Sequence, residues 1–262
     1  MGRPATLRIE APGELYIAKV LESVGFAGYE PDALACFLAA IDEAGAETVF
    51  DVGANVGVFA LLAASVTGAE VVGFEPTPDI ARTFQAIVDA NALPCRVEAI
   101  ALGATDGTAT LHLSKTADSS NSLLAGFRQA VGTLEVPLER LDAYCTRTGR
   151  WPAVLKVDTE ATEPDVLRGA TELLTRVRPW IVCEVLAGRT EVALMEILRP
   201  FGYSWYHITD TMPFTAAASI VGDPTYHQLD WLFAPQPPSD RFWVRAKAWR
   251  DALAATDRPS GA

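Results

Sequence analysis

The chain predicts an α/β fold, a mostly parallel sheet with helices on both faces. Two observations carry this. Short apolar runs alternate with helix-patterned segments along most of the sequence, the rhythm of strands that return through crossover helices. The first two of these runs open onto a Gly-rich turn and an acidic residue, as strands do whose carboxyl ends line a crevice. Composition agrees. Half of the 262 residues are hydrophobic and 21% are charged, so a sizeable core can form and global disorder is excluded.

In chain order, 48–52 (TVFDV) reads as a buried strand and 57–65 as the helix after it. A second strand, 71–74, ends on Glu75-Pro76. A helix over 79–90 starts after Thr77-Pro78, and 96–102 is a third strand. The rhythm then breaks. Residues 108–113 (TATLHL) alternate with period two, as an edge strand does. A polar loop over 114–126, an extended piece at 133–137 and a helix at 138–145 follow. The pattern resumes with a strand at 153–157 ending before Asp158, and a helix at 163–176 with Pro164 in its first turn, where a missing N–H costs nothing. A strand at 180–185, a helix at 191–201 and late strands at 203–208 and 230–233 complete the sheet. The expected organisation is an N-terminal helical cap over one end of the sheet (1–47, with a helix at 31–44), a sheet-bearing domain (48–235) and a C-terminal helix (236–262).

Charge and cysteines narrow the class. With 21 basic and 33 acidic residues the formal net charge is −12, and the mean field repels phosphate. Neither nucleic acid nor a membrane surface is an expected partner. The four cysteines are far apart with no CxxC pair, which argues against a thiolate metal site and for reduced thiols in a cytoplasmic protein. No apolar leader and no run of about 18 apolar residues is present, so neither secretion nor a membrane span is expected.

The chemistry concentrates at strand ends. Phe50-Asp51-Val52-Gly53-Ala54-Asn55-Val56-Gly57 joins the first strand to its helix. Gly53 and Gly57 suit a turn that a ligand approaches closely, although a Gly-rich strand-to-helix turn needs no ligand. Glu75 ends the neighbouring strand, 24 residues after Asp51, where an acid can take both hydroxyls of a ribose. The run GANVG is not the GxGxxG of a dinucleotide site, and Asp51 would repel a pyrophosphate. A cationic or zwitterionic nucleoside suits the turn better, and S-adenosylmethionine is one.

Four segments in order, VFDVGANVGVFALLAA, VVGFEPTP, LKVDTEATEPDVLRGA and WIVCEV, resemble the FkbM family of S-adenosylmethionine-dependent methyltransferases. The resemblance spans about residues 49–184, with a weaker tail to Phe233. It implies a class I methyltransferase (Rossmann-like) sheet of seven strands, the last antiparallel, and methylation of hydroxyl oxygens on sugars or natural-product scaffolds. It also implies that Gly53, Asn55 and Gly57 hold the methionine part of the cofactor and Glu75 its ribose. Two departures stand out. The family motif after the fourth strand carries Gly where this chain has Ala161, and the Asn that the family often has near Ala99 is missing.

Lys156, Asp158, Glu160 and Glu163 form the densest charged cluster in an apolar strand-turn-helix. Lys156 and Asp158 share a strand face, so they read either as a structural pair or as a pair that keeps Asp158 ionised and aimed at the acceptor. Glu163, in a first helical turn, is stabilised there whatever the function and is taken as structural. Glu184, ending the fifth strand, is a second acid for the acceptor, and His207, His227 and His112 are weaker candidates. Asp158 and Glu184 can be imagined holding a divalent cation, since hard cations prefer carboxylates, but no His–acid spacing supports a dedicated metal site and none is expected. Ser120, in the polar loop, is assigned to the cofactor on the expectation that this loop overhangs the crevice. Trp205, Tyr206, Phe214 and Tyr226 can form an apolar wall for a bulky acceptor or simply join the core. The expected activity is O-methylation of a small-molecule or sugar hydroxyl. N-methylation and a non-catalytic nucleoside-binding protein are the alternatives. The oligomeric state, a homo-oligomer included, stays open.

Overall fold

The computed structural model describes residues 6–256, so the outermost residues of both terminal segments lie outside it. Seven strands form the main sheet in the order β3-β2-β1-β7-β8-β10-β9. They are β1 (Thr48–Val52), β2 (Glu70–Phe74), β3 (Cys95–Glu98), β7 (Val154–Val157), β8 (Trp180–Glu184), β9 (Ser204–His207) and β10 (Asp230–Ala234). The pairs from β3 through β8 are parallel, whereas β10 runs antiparallel to both β8 and β9. The last strand is therefore inserted against the run of the rest, as the resemblance implies.

Alternation along the strands divides the core in two. Val49, Val71, Val154 and Val182 face α2 (Pro31–Ala44), α3 (Val58–Val66), α4 (Pro78–Asn91) and α9 (Asp240–Thr256). Phe50, Val72, Leu155 and Ile181 face α5 (Leu141–Thr148), α6 (Glu163–Arg168), α7 (Thr171–Arg176) and α8 (Glu191–Leu198). Burial on both faces explains why these strands read as continuous apolar runs. Residues 33–41 of α2 are all buried, so the N-terminal segment supplies a helix to one face of the sheet. No single helix among the described residues is long and apolar enough to cross a membrane.

Four elements differ from the sequence reading. The strand expected over 96–102 divides: β3 stays in the main sheet, and β4 (Ala101–Leu102) leaves it to pair with β6 (Ala130–Glu139). The expected edge strand, β5 (Gly107–Ser114), pairs antiparallel with β6 in a separate three-stranded sheet. Its period-two pattern suits a sheet with one solvated face and a small core of Ala101, Leu111 and Val136. The helix expected over 163–176 breaks at Gly169, where a Cβ would lie 2.1 Å from the carbonyl oxygen of Gly103. A further helix not read from the sequence, α1 (Tyr16–Gly28), kinks at Gly25 and buries Ile17, with Leu21 and Phe26 packed against the core.

Candidate active site

The parallel topology gathers the carboxyl ends of β2, β1, β7 and β8 along one edge, and the turns that follow them meet there. Gly53 and Gly57 are both left-handed, with φ of +81° and +86°. A Cβ on Gly53 would lie 1.7 Å from the carbonyl oxygen of Asp158, and one on Gly57 would lie 2.1 Å from the Phe84 ring. The chain's own packing therefore demands these glycines before any ligand does. The first of them lets the β1 turn sit against the end of β7. Asn55, also left-handed, accepts its neighbour Val56's N–H on its own side-chain oxygen at 2.8 Å.

Glu75 ties the first two strand ends together. Its Oε2 accepts the Asn55 N–H at 3.0 Å and its Oε1 accepts the Thr77 N–H at 2.7 Å. Burial pushes its pKa up, against the pull of these donors. The Thr77 side chain bonds this carboxylate too, and with about four acceptor sites the group keeps capacity for a further donor. The group lines a narrow slot of about 60 Å³ with Thr77, Ile100, Ala101, Leu111 and Asn121.

Gly53, Asn55, Asp158 and Glu160 line both that slot and a cavity of about 670 Å³ beside it. Lys156 is 1% exposed. Its Nζ donates to Asp158 Oδ2 at 3.1 Å and to Asp230 Oδ1 at 2.8 Å, and stands 4.9 Å from the centre of the Phe59 ring. Burial opposes its charge, but Asp158, Asp230 and Glu30 outweigh burial and hold the ammonium protonated well above the ordinary lysine range. Register places Asp51 beside Lys156 and Asp230 beside Glu184. Asp51 accepts the Ala60 N–H at 2.9 Å, and burial raises its pKa to about 7. Eight carboxylates line the cavity, those of Glu30, Asp32, Asp51, Asp158, Glu160, Glu184, Asp210 and Asp230, against Lys156 as its one lysine or arginine.

The β7–α6 turn holds the remaining acids. Glu163 Oε1 accepts from the Thr159 N–H, the Thr159 hydroxyl and the Ala161 N–H at 2.8, 3.1 and 3.2 Å. That is the structural role expected of it. Its Oε2, and Oε2 of Glu184, are buried with no hydrogen-bond partner among the described residues. Burial, with the neighbouring acids, raises Glu163 to about 7 and Glu160 to about 8, and moves Glu184 well above the carboxylate range. Ala161, at the position where the family carries Gly, has φ +82°.

The structure brings Lys156, Asp158 and Glu184 into the wide cavity together with Asp51, Gly53, Asn55 and Ser120, and puts Glu75 in the adjoining slot. Gly57 lines neither. The polar loop does overhang the crevice. Asp118 accepts the Tyr16 N–H at 2.7 Å and reaches the Asn55 amide at 3.5 Å, which ties the loop to α1 and to the β1 turn. His207 is taken up by the Gln228 carbonyl and stacks on Trp231, away from the cavity, whereas His227 lines it. The aromatic wall does not form. Trp205, Tyr206 and Phe214 are core, Tyr226 is exposed, and Ile17, Val20, Phe59 and Ile208 line the cavity instead. Sequence reasoning missed Asp230 and Glu30, whose separation from Lys156 along the chain gave no signal.

A sheet with one inserted antiparallel strand, a Gly-rich turn after β1 and an acid ending β2 define a class I methyltransferase fold. The methyltransferase FkbM domain model matches residues 51–213, and the chain belongs to that family. Among solved structures, an FkbM methyltransferase from Methylobacillus flagellatus is 15% identical, with a TM-score of 0.47 over 71% of this chain and 43% of that one. This chain thus spans less than half of that relative. Magnesium protoporphyrin IX methyltransferase from Synechocystis, solved with bound S-adenosylmethionine, is 12% identical, with a TM-score of 0.45 over 87% and 88%. The METTL16 methyltransferase domain is 13% identical, with a TM-score of 0.48 over 88% and 74%. No match was found among curated proteins.

Proposed function

We propose that the chain transfers the methyl group of S-adenosylmethionine to a hydroxyl of a small-molecule or sugar acceptor. The observation that carries this reading is the position of Asp158. It lies where the slot beside Glu75 opens into the wide cavity, with its carboxylate held by buried Lys156. The residues fit the cofactor. Glu75 lines the slot with an acceptor for ribose hydroxyls, and the acidic lining of the wide cavity, Asp51 and Asp158 included, favours a cation. Asn55 and Ser120 offer polar contacts to its amino-acid part. When bound, the sulfonium supplies an electrophilic methyl group. What the chain's own residues add is position and a proton acceptor. Lys156 fixes the Asp158 carboxylate, which accepts the proton of the acceptor hydroxyl as its oxygen bonds to carbon. Glu184 orients the acceptor from the adjacent strand end. The wide cavity has room for a compact acceptor, and its acidic lining excludes anionic ones.

The test is a screen of alcohols and sugars with methyl-labelled cofactor, paired with calorimetry. Glu75→Gln removes a charge-assisted contact to ribose, about 1.5–3 kcal/mol, and should weaken cofactor binding roughly ten- to a hundredfold. Asp158→Asn should keep cofactor affinity and lose at least about 10²-fold in turnover. Unchanged turnover in Asp158→Asn removes it as proton acceptor, and methyl transfer to amines alone makes the chain an N-methyltransferase.

A further inference from the structure

One carboxylate oxygen from each of Asp158, Glu163 and Glu184 lies within 4.8 Å of the other two. These residues come from the end of β7, the start of α6 and the end of β8, so the fold brings them together from three places. Glu163 is 0% exposed and Glu184 7%, and Oε2 of each is buried with no hydrogen-bond partner among the described residues. Carboxylates this close and this dry repel strongly unless a proton or a cation neutralises them. Lys156 hydrogen-bonds Asp158 alone among the three, its other bond going to Asp230, so the Oε2 atoms of Glu163 and Glu184 are left without a donor among the described residues.

We propose that Asp158, Glu163 and Glu184 bind one hard divalent cation. Two oxygens on opposite sides of such an ion are separated by about twice the metal–oxygen distance, roughly 4–5 Å for Mg²⁺ to Ca²⁺, and oxygens within 4.8 Å of one another can share one ion. An all-oxygen, all-carboxylate donor set selects Mg²⁺, Mn²⁺ or Ca²⁺ over softer metals. The outer contacts of a metal ligand are present too. Glu163 is aimed by the Thr159 and Ala161 N–H groups and the Thr159 hydroxyl, all on its other oxygen. Asp158 and Glu184 also line the wide cavity, which provides a path of entry and room for waters or an acceptor oxygen to complete the coordination. An ionised carboxylate has about four acceptor sites, so Asp158 can hold Lys156 and the cation and still face the acceptor. Only that last contact, between cation and acceptor, rests on the methyl-transfer reading.

The experiment uses the full chain stripped with EDTA and titrated with Mn²⁺ under electron paramagnetic resonance, with Mg²⁺ and Ca²⁺ as competitors. One Mn²⁺ per chain is expected, weakened at least about tenfold by Glu184→Gln and by Glu163→Gln, and untouched by the surface control Glu10→Gln. Thermal unfolding gives a second readout. Glu184→Gln should gain less melting temperature from Mn²⁺ than the natural chain does. No bound Mn²⁺ at about 1 mM, or equal binding in both Glu variants, overturns the proposal. Neither readout needs turnover. A chain that binds Mn²⁺ and transfers no methyl group refutes the proposed function alone, and one that transfers methyl without binding a metal refutes this site alone.

Discussion

Gly53→Ala tests how the β1 turn is built. The new Cβ would lie 1.7 Å from the carbonyl oxygen of Asp158 and 2.7 Å from its carbonyl carbon, backbone atoms that no side-chain rotation can move. The residue also has φ +81°, a conformation that costs alanine about 1–2 kcal/mol. To relieve the overlap, the ends of β1 and β7 must separate. That strains the bond from the Asp158 N–H to the Val52 carbonyl at 2.9 Å and the one from the Gly53 N–H to the Phe74 carbonyl at 3.0 Å. Adding overpacking and one weakened backbone bond gives a loss of roughly 3–5 kcal/mol in all. In a chain of this size, that lowers Tm by roughly 6–20 °C. The assay is thermal unfolding of the ligand-free chain by circular dichroism. A variant that melts within about 2 °C of the natural chain while losing the cofactor would refute this reasoning. It would mean that the glycine serves the ligand and not the junction of the two strands.

Lys156→Met leaves the half-buried Asp158 and Asp230 without their shared cation and should cost about 2–4 kcal/mol by urea unfolding at pH 7. A loss under about 1 kcal/mol would show the pair to be screened by water. Ala161→Gly relieves a left-handed alanine and should gain about 0.5–1 kcal/mol in the same assay, with no gain if the turn relaxes. The pH dependence follows from Asp51, whose pKa is raised by burial to about 7. The folded state binds its proton more tightly than the unfolded one, so this contribution to stability is complete below the ordinary aspartate pKa. It is lost as pH rises through about 7. Ligand-free chain should therefore melt lower at pH 8 than at pH 5, and Asp51→Asn should shrink that difference. An equal drop in the variant would assign the effect elsewhere.

The alternation of apolar strand and helix determined the parallel sheet, because a strand buried on both faces and a crossover helix each carry a local period. The strand at 48–52 and the helix at 31–44 were legible to the residue, and so was the placing of Glu75 and Asp158 at strand ends. Local periodicity does not say which sheet a strand joins. β5 alternates as an edge strand would, and only its pairing with β6 takes it out of the main sheet. Nor does it say which charges meet. Lys156 and Asp158 are two residues apart and announce each other, but Asp230 arrives from 74 residues away because β10 inserts beside β8 and brings it into register with Glu184. Glu163 reads as a helix-start acid and is one through Oε1. Its second oxygen acquires meaning only from Glu184, which another strand delivers. The glycines follow the same division. A left-handed turn after β1 is written in the sequence, but its closeness to the Asp158 carbonyl is a contact between two strand ends about a hundred residues apart, and only tertiary packing sets that distance.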